Sequence, residues 1–396
     1  MALENSFIPY GGYWSTPFCR WQGSLSGYHS IELAGSVGRG FLESREIPPQ
    51  MFDGVILGIT VPQRHAFYGA PWLAGMMGAE GITGPTVSQA CATSARAVAN
   101  AALEIEMGHR ECILTVGCDR TSNGPHIYYP DPGGPGGQGS SEDPVLGNMN
   151  QDPHAGLAMV QTAENLAAEA AITREEQDSL ALLRYEQYLK ALAEDRAFQR
   201  NYMVAVELLR RRKATGVVES DEGVRETTAD GLAGLRPVAE GGTVTFGTQT
   251  HPADGNAGVI VCSQDRATEL SREPVTVRLL SYGEARVEKG LMPKAVVPAA
   301  RNALQRAGIG IGQCAALKTH NPFAVADVFF CREMGVSPES INNYGSPLIW
   351  GHPQAPTGLR AIIELIEELV IRGGGYGLFS GCAGGDTAMA VVLEVG

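Results

Sequence analysis

One pattern occurs in both halves of the chain and limits its fold more than any other feature. In the first half, two β-branched runs, 53–61 and 112–117, flank an alanine-rich helical stretch at 92–108. In the second half, a helical run at 358–371 is followed, after three glycines, by a strand-like run at 376–380. Such alternation predicts mostly parallel sheets covered by helices on both faces. We therefore expect an α/β protein made of two similar βαβαβ-type halves.

Reactive side chains occupy matching places in these halves. Cys91 precedes the pair Gly117-Cys118, and His352 precedes the pair Gly381-Cys382 at nearly the same spacing. In folds of this type, ligands bind in the loops at the carboxyl ends of strands and at helix N-termini. We expect the reactive groups to meet at that edge.

Composition excludes several classes of protein. The 396 residues carry a net charge of −13, which disfavours nonspecific binding of nucleic acid or anionic lipid. Neither a signal-like N-terminus nor a membrane-length apolar stretch is present in the sequence, so it predicts a cytoplasmic protein with no nucleic-acid or membrane partner. The 8 cysteines include no CxxC pair, which indicates neither a disulfide framework nor a zinc knuckle, and we expect no metal site.

A region of different character separates the halves, and we place it at about 119–245. It begins with a Gly/Pro-rich stretch, 130–144, which predicts an irregular connection. Thr173 and Glu176 then have the spacing of a capping box at the start of an amphipathic helix.

Three side chains stand out as candidates for chemistry. Cys91 lies between a strand end and a helix start, where backbone N–H groups favour a thiolate, although a buried apolar role is the alternative. His352 lies in a Gly-His-Pro turn, where it could act as a general base or simply cap the turn. Cys382 lies in a Gly-rich turn, which is weak evidence by itself.

Together these segments resemble the thiolase family over nearly the whole chain. The matching segments, in order, are 15–18, the Cys91 helix, 159–165, 221–225, 235–237, 241–246, the His352 turn and the Cys382 loop. The resemblance implies a duplicated thiolase fold with five layers, αβαβα. It also implies four parts: an N-terminal half at 1–118, an inserted loop domain at 119–245, a completion of the first half at 246–270 and a C-terminal half at 271–396.

The activity that the resemblance implies is CoA-dependent cleavage of a 3-ketoacyl-CoA, or the reverse Claisen condensation, by an acyltransferase. Cys91 would carry the acyl group, His352 would take its proton, and Cys382 would protonate the departing carbanion. The backbone N–H groups of Cys91 and Gly384 would stabilise the tetrahedral oxyanion, while His352 and His320 would stabilise the enolate.

His320 departs from the commonest family pattern. It begins the stretch His-Asn-Pro-Phe, which is similar to the His-first versions in some degradative and sterol-carrier-type thiolases, where many members have Asn. A structural role for His320 is the alternative.

Coenzyme A is implied as a co-substrate, with no cofactor bound permanently. Met159, Arg225, Thr250 and His251 match its binding segments, although Thr250-His251 replaces a usual Ser-Gly pair and Arg225 could be only a solvated charge. The partners implied are CoA thioesters and further copies of the chain, as a homodimer or tetramer, with an accessory protein subunit as a further option.

Aromatic residues next to the Gly/Pro-rich stretch, together with others in the first half, favour a bulky or aromatic 3-ketoacyl group. They are Phe67, Tyr68, Trp72, His126, Tyr128 and Tyr129. Interface or core roles would explain the same residues.

Two other classes of protein are alternatives. A thiolase-like scaffold that binds acyl-CoA and needs a partner for activity would have no reason to keep Cys91, His352 and Cys382 together. A ketoacyl synthase or hydroxymethylglutaryl-CoA synthase would not be expected to carry Cys382.

Overall fold

Two sheets organise the chain, which we describe from a computed structural model for residues 2–210 and 213–396. The strands in this part of the chain are β1 (Tyr13–Ser15), β2 (Cys19–Arg20), β3 (Gly54–Gly58), β4 (Thr86–Val87), β5 (Cys112–Arg120), β6 (Ile127–Tyr129), β7 (Ser140–Glu142), β8 (Val206–Arg210), β9 (Lys213–Val218), β10 (Ala253–Cys262), β11 (Val277–Arg286), β12 (Cys314–His320), β13 (Gly375–Ala383) and β14 (Thr387–Val395).

The α-helices lie mainly between these strands. They are α1 (Ser30–Ser44), α2 (Gly69–Met76), α3 (Thr93–Glu106), α4 (Leu146–Asn150), α5 (Met159–Glu169), α6 (Arg174–Ala191), α7 (Ala193–Arg200), α8 (Ala229–Ala233), α9 (Gln264–Leu270), α10 (Val296–Ala307), α11 (Ala324–Met334), α12 (Pro347–Trp350) and α13 (Thr357–Ile371). Within the described residues, no helix combines the length and apolar character needed to cross a membrane.

The two sheets share one topology. The first has the order β1-β10-β5-β3-β4, and the second has the order β11-β14-β13-β12. β3 pairs in parallel with β4 and β5 in the first sheet, and β12 pairs in parallel with β13 in the second. The remaining strand pairs described in these two sheets are antiparallel, because β10 and β14 run opposite to their neighbours, so the prediction of mostly parallel sheets is wrong. A parallel bridge between Leu317 and Ile341 occupies the place that β4 has in the first sheet. The α/β class and the similarity of the two halves, both predicted from the sequence, are confirmed.

Apolar packing arranges these elements in five layers. Residues of α3 and α13 lie between the two sheets in one core cluster, which includes Val98 and Ile362. A second cluster packs α1 and α2 on the outer face of the first sheet, and a third packs α10 and α11 on that of the second sheet. The alanine-rich sequence of α3 suits this central position, because small side chains allow both sheets to approach.

A close contact between α3 and α13 sets the position of their N-termini. A Cβ atom built on Gly358 would lie 2.9 Å from Cβ of Ser94, so only glycine fits at this contact. The Ser94 hydroxyl also donates a hydrogen bond to the Ala355 carbonyl oxygen. The turn before α13 is therefore held against the first turn of α3.

Buried charges anchor α13 to the region between the halves. Arg360 donates two hydrogen bonds to Asp221, at 2.6 and 2.8 Å, and one to Glu364 at 3.1 Å. The Arg360 and Asp221 side chains have no solvent exposure. Because an unpaired buried charge is costly, this ion pair resists separation of α13 from the segment around residue 221.

The region between the halves is more ordered than its sequence suggests. The predicted capping box is confirmed, since Thr173 and Glu176 hydrogen-bond each other's backbone N–H at 2.8 and 3.2 Å. The prediction of an irregular connection at 130–144 is wrong in part, because β6 pairs with β7 to form a hairpin across it. The β-forming residues Ile127, Tyr128 and Tyr129 precede the Gly-rich stretch and pair with residues at its far end. The four-part division of the chain stays a prediction; β5 itself runs to Arg120.

Candidate active site

A thiol and an imidazole from opposite halves of the chain meet at the centre of the molecule. Cys91 Sγ lies 3.1 Å from His352 Nε2. Cys91 lies just before α3 and His352 lies in the turn before α13, so the contact of the two helix N-termini brings them together. This separation is short enough for proton transfer between the two atoms.

Backbone strain accompanies both side chains. Ala90 has φ +45°, an unusual value for a residue with a Cβ atom, and the turn at 89–93 is closed by hydrogen bonds from Ala92 and Thr93. Gly351 has φ +98°, and a Cβ atom there would meet the His251 ring at 2.7 Å. Strained backbone of this kind often occurs at functional sites, where the surrounding structure holds it.

Cys91 is a partly exposed residue, but its sulfur lies inside the site, and burial there raises the thiol pKa to about 11. Hydrogen bonds from the backbone N–H groups of Gly384 and of Cys91 itself act in the opposite direction and lower this pKa. These two donors converge on the sulfur, where a negative charge would form. At neutral pH the thiol is protonated and needs a base.

His352 has the properties of such a base. Its Nδ1 lies 2.7 Å from Thr357 Oγ1, and with Nδ1–H as the donor, Nε2 has a lone pair that faces Cys91. Burial and the neighbouring His320 hold the pKa of His352 well below its usual value, so the imidazole is neutral at rest.

His320 lies at the end of β12, with its ring centroid 4.2 Å from that of His352. Its side chain is only 1% exposed, yet neither ring nitrogen has a hydrogen-bond partner. Burial lowers the pKa of His320 to about 3, so this ring is also neutral. A buried imidazole without partners is unusual and indicates that a ligand atom completes the site.

Cys382 lies on β13 and is fully buried. Burial is the main cause of a pKa well above the usual thiol value, and the charge of Cys91 raises it further. The residue before it, Gly381, is paired with His320 in the second sheet. The four candidates predicted from the sequence, Cys91, His320, His352 and Cys382, are thus close together.

A cavity of about 580 Å³ opens on this cluster. Cys91, His352 and Gly384 lie in its wall. Much of the remaining wall is apolar and includes Val145, Leu146, Met149, Val160, Val238, Phe246, Met292 and Phe323. Asp152 is the charged side chain among the described wall residues, and hydrogen bonds from the backbone N–H groups of residues 154, 155 and 385 help to lower its pKa. The cavity therefore suits a mostly uncharged ligand.

The residues expected to bind coenzyme A divide into two groups. Met159 and Thr250 lie in the cavity wall. His251 does not; its ring packs between Gly223 and Gly351, although its carbonyl oxygen accepts the His352 N–H at 2.9 Å. Arg225 is an exposed residue outside the wall, in the segment between β9 and α8.

The aromatic residues expected to shape the pocket do not do so in this chain. The cavity wall contains none of the six, which are Phe67, Tyr68, Trp72, His126, Tyr128 and Tyr129, among the described residues. That prediction is wrong, because Tyr128 and Tyr129 lie on the solvent-exposed β6–β7 hairpin and Phe67 is 94% exposed. The apolar wall comes instead from residues 145–160 and from segments near 240 and 320.

Sequence reasoning missed Asp119, a buried carboxylate behind the His352 turn. One carboxylate oxygen accepts the N–H groups of Thr60 and Val61, both at 2.9 Å. The other accepts the Thr60 hydroxyl at 2.7 Å and the Ala355 N–H at 2.9 Å. Burial raises the pKa of Asp119 to about 7, although these hydrogen bonds lower it. Asp119 thus joins the end of β3 to the turn that carries His352.

Thr357 was also missed, although its position could have suggested it. A hydroxyl at a helix N-terminus a few residues after a candidate base is a reasonable partner for that base. Nothing in the sequence brings Asp119 close to Ala355, since they are far apart in the chain.

Comparison with known proteins places this architecture in a family. Residues 13–265 match the family model of the thiolase N-terminal domain, and residues 273–395 match that of the thiolase C-terminal domain. The acetyl-CoA acetyltransferase of Escherichia coli K12 is 31% identical over 383 residues, covering 94% of this chain and 95% of that protein. The Escherichia coli β-ketoadipyl-CoA thiolase is 29% identical over 393 residues, with 96% and 97% covered. The human mitochondrial 3-ketoacyl-CoA thiolase, solved in complex with CoA, superposes with a TM-score of 0.91 at 27% identity, covering 100% of this chain and 99% of the other.

Proposed function

This chain belongs to the thiolase family of acyltransferases, and from that premise we propose that Cys91 carries the acyl group during CoA-dependent cleavage of a 3-ketoacyl-CoA. The observation that supports this role is the distance of 3.1 Å between Cys91 Sγ and His352 Nε2. Cys314 is a useful comparison, because burial raises its pKa to about 11 as well, but it lies outside the site. The nearby imidazole, rather than the acidity of the resting thiol, therefore distinguishes Cys91.

In the first step, His352 Nε2 takes the Cys91 proton and the sulfur attacks the 3-keto carbon. The carbonyl π electrons move to its oxygen, which becomes an oxyanion. The backbone N–H groups of Cys91 and Gly384 stabilise that charge, a contribution worth several kcal/mol for preorganised donors, about 2.7–4 in a measured protease case. Thr357 holds the His352 ring so that Nε2 faces the sulfur.

In the second step, the oxyanion collapses and the bond between C2 and C3 breaks. Its electron pair passes to C2 and the thioester carbonyl, which becomes an enolate. His320 and the now protonated His352 stabilise the enolate oxygen, while the Cys382 thiol gives its proton to C2. Acetyl-CoA leaves, and Cys91 holds the shortened acyl group as a thioester.

In the third step, the Cys382 thiolate left by the second step takes the proton of the thiol of a second CoA, whose sulfur attacks the thioester carbon. Acyl-CoA is released and Cys91 recovers its proton through His352. The cavity supplies an entrance for the CoA arm, with Met159 and Thr250 in its wall, and Arg225 outside it is available to a phosphate. The structure of the human mitochondrial 3-ketoacyl-CoA thiolase was determined in complex with CoA, which supports CoA as the co-substrate.

The acyl group that fits this cavity is uncharged and larger than acetyl. Its apolar wall favours alkyl or aryl groups. Asp152, which stays ionised, repels a carboxylate at the end of an acyl chain. We therefore expect a substrate preference different from that indicated by the name of the β-ketoadipyl relative.

Mass spectrometry tests the acyl carrier. Brief exposure of the enzyme to an acyl-CoA should add the acyl mass to the peptide that contains Cys91, and Cys91→Ala should lose both the adduct and turnover. Cys314→Ser is the matched control and should keep both. An adduct on another cysteine, or turnover by Cys91→Ala, would disprove the assignment.

A cleavage screen with the purified chain tests the substrate class. It compares acetoacetyl-CoA, longer and aryl-substituted 3-ketoacyl-CoAs, and 3-oxoadipyl-CoA. Uncharged substrates should exceed the carboxylate-bearing one by on the order of 100-fold in kcat/KM, because like charges at a desolvated contact cost several kcal/mol. Equal rates would contradict the substrate class, and activity of the chain alone would exclude a required accessory subunit.

We also propose that the chain forms a homo-oligomer. Exposed aromatic side chains support this, since Phe67 and Tyr68 are 94% and 62% exposed and touch each other edge to face. Light scattering should give twice or four times the mass of the chain, and Phe67→Ser with Tyr68→Ser should lower it. A monomer at enzyme concentrations above those of the assay would exclude the assembly.

A further inference from the structure

Three side chains in the site form a cluster with the chemistry of a metal centre. One ligand atom from each of Cys91, His320 and His352 lies within 4.8 Å of the other two. Zn²⁺ binds thiolate sulfur at about 2.3 Å and imidazole nitrogen at about 2.0–2.1 Å, so tetrahedral ligands are roughly 3.4–3.6 Å apart. The longest separations in the cluster, at most 4.8 Å, must shorten by about 1 Å, while the 3.1 Å between Cys91 Sγ and His352 Nε2 must lengthen by roughly 0.5 Å. Both changes are of the size that side-chain rotation produces.

His320 provides the independent observation that a ligand belongs here. It is 1% exposed, and both of its ring nitrogens lack a hydrogen-bond partner. His352, in contrast, has Thr357 on Nδ1, which fixes Nε2 toward the cluster, as outer partners of metal-binding histidines do. The His352 ring is therefore already oriented for a ligand, and the His320 ring has nitrogens without hydrogen-bond partners.

We propose that Cys91, His320 and His352 bind one thiophilic divalent cation of the Zn²⁺ class, and that this binding reversibly blocks the enzyme. As the metal–sulfur bond forms, the Cys91 proton leaves to solvent, and a water occupies the fourth position on the cavity side. Three protein ligands with water in the fourth position are usual for catalytic zinc sites. The metal holds the electron pairs of Cys91 and His352 that acyl transfer requires, so binding and turnover exclude each other.

This site is absent from sequence patterns because its ligands come from three separate segments, one before α3, one at the end of β12 and one before α13. The sequence-based expectation of no metal site rested on the lack of a CxxC pair. The inference rests on the proposed function only in its inhibitory consequence. Metal binding itself is independent of any catalytic activity.

The visible absorption spectrum of bound Co²⁺ tests the site directly. Co²⁺ added to chelator-treated enzyme, without CoA because its thiol also binds metals, should give a thiolate charge-transfer band and intense visible bands typical of tetrahedral coordination. The signal should saturate at one equivalent per chain, and Zn²⁺ should displace it. An absent thiolate band, or a stoichiometry set by other sites, would overturn the proposal.

Variants assign the ligands. Cys91→Ser should abolish the thiolate band, and His320→Asn should weaken metal affinity by on the order of 100-fold, since loss of even outer-shell partners costs 10–100-fold. Cys314→Ser and the exposed His109→Gln are matched controls that should keep wild-type binding. If Cys91→Ser fails to fold, alkylation of wild-type Cys91 with iodoacetamide provides the same test, and Zn²⁺ should protect that thiol from alkylation.

Activity measurements separate this inference from the proposed function. Zn²⁺ should inhibit condensation of acetyl-CoA at metal concentrations in excess of CoA thiol, and chelator should restore the rate. An active enzyme that gives no cobalt–thiolate band refutes the metal site alone. An enzyme without activity that gives the band refutes thiolase function alone.

Discussion

Replacing Asp119 with Asn tests whether this buried carboxylate holds His352 in its working position. An Asn side chain keeps one oxygen, which can accept the N–H groups of Thr60 and Val61. Its NH₂ group then faces the Ala355 N–H, which loses its acceptor. The NH₂ group of the new Asn and the Ala355 N–H are both donors and repel each other. This repulsion displaces the turn that carries both Ala355 and His352.

The size of the effect follows from the contacts. A buried N–H without a partner costs ~1–3 kcal/mol, so a displacement expressed fully at His352 lowers kcat/KM by about 5- to 150-fold. A second effect concerns pH, because burial raises the pKa of Asp119 from 3.8 to about 7. Wild-type kcat/KM should therefore rise with pH through about 7 as Asp119 ionises and accepts fully. The variant should lack this rise and keep the one caused by Cys91 at higher pH.

Stability has the opposite pH dependence. Asp119 has a higher pKa in the folded chain than in the unfolded chain, so the folded chain binds more protons in this pH range. Its contribution to the free energy of unfolding therefore falls as the pH rises from the unfolded-state pKa of 3.8 to the folded-state pKa of about 7. Each tenfold change in proton affinity is worth about 1.4 kcal/mol, so wild type should lose about 3 kcal/mol relative to Asp119→Asn between about pH 5 and about pH 8.

The assay is initial-rate thiolysis across pH, together with urea unfolding at both pH values. Asp53→Asn is the matched control, because Asp53, just before β3, accepts the backbone N–H groups of Glu111 and Cys112 at the start of β5. These contacts are at the opposite end of β3 from Thr60, so the substitution should leave rate and pH profile unchanged. A rise near pH 7 that persists in Asp119→Asn, with an undiminished rate, would refute the reasoning.

Three further predictions concern separate parts of the molecule. Cys382→Ser should keep acylation of Cys91 by acyl-CoA but lose on the order of 100- to 10,000-fold in exchange of the C2 protons of acetyl-CoA into deuterated water; loss of acylation with normal exchange would reverse the two roles. Thr357→Val should lower kcat by about 10-fold or more, because the His352 ring loses the partner that keeps Nε2 facing Cys91, and should lower the free energy of unfolding by ~1–3 kcal/mol, because the buried Nδ1 is left without a partner; an unchanged kcat would contradict this. Arg360→Met leaves the Asp221 carboxylate buried and unpaired, so it should destabilise the chain by ~3–5 kcal/mol in urea unfolding, against less than about 1 kcal/mol for Arg39→Met in an exposed pair; similar values for both would contradict the role of burial.

The sequence predicts those parts of the molecule that depend on local patterns. Alternation of strands and helices was sufficient for the α/β class and the two halves, and the family resemblance is confirmed. His352 was identifiable because it lies in a Gly- and Pro-rich turn before a helix, and Cys91 because it lies between a strand end and a helix start. The roles given to the site residues stay predictions.

Other features depend on contacts between distant segments and leave no local signal. Asp119 acts on Ala355 through the packing of β5 behind the His352 turn, where Gly117 leaves room: a Cβ atom there would lie 2.9 Å from the Ala355 oxygen. The lack of partners for His320 is a property of its surroundings. The prediction that aromatic residues shape the pocket failed because aromatic composition does not show in which direction the β6–β7 hairpin projects.

The matching topology of the two sheets bears on how such a chain is inherited. Gly58 and His320 are counterparts, since they pair with Gly117 and Gly381 at the same place in their sheets. Cys118 and Cys382 follow those glycines, yet the imidazole occurs in the second half alone. Copies that arise by gene duplication start identical, and after fusion each half can lose what the other retains. Fusion into a single chain guarantees equal numbers of the two copies, so mutation can leave each half chemically incomplete without loss of the activity under selection.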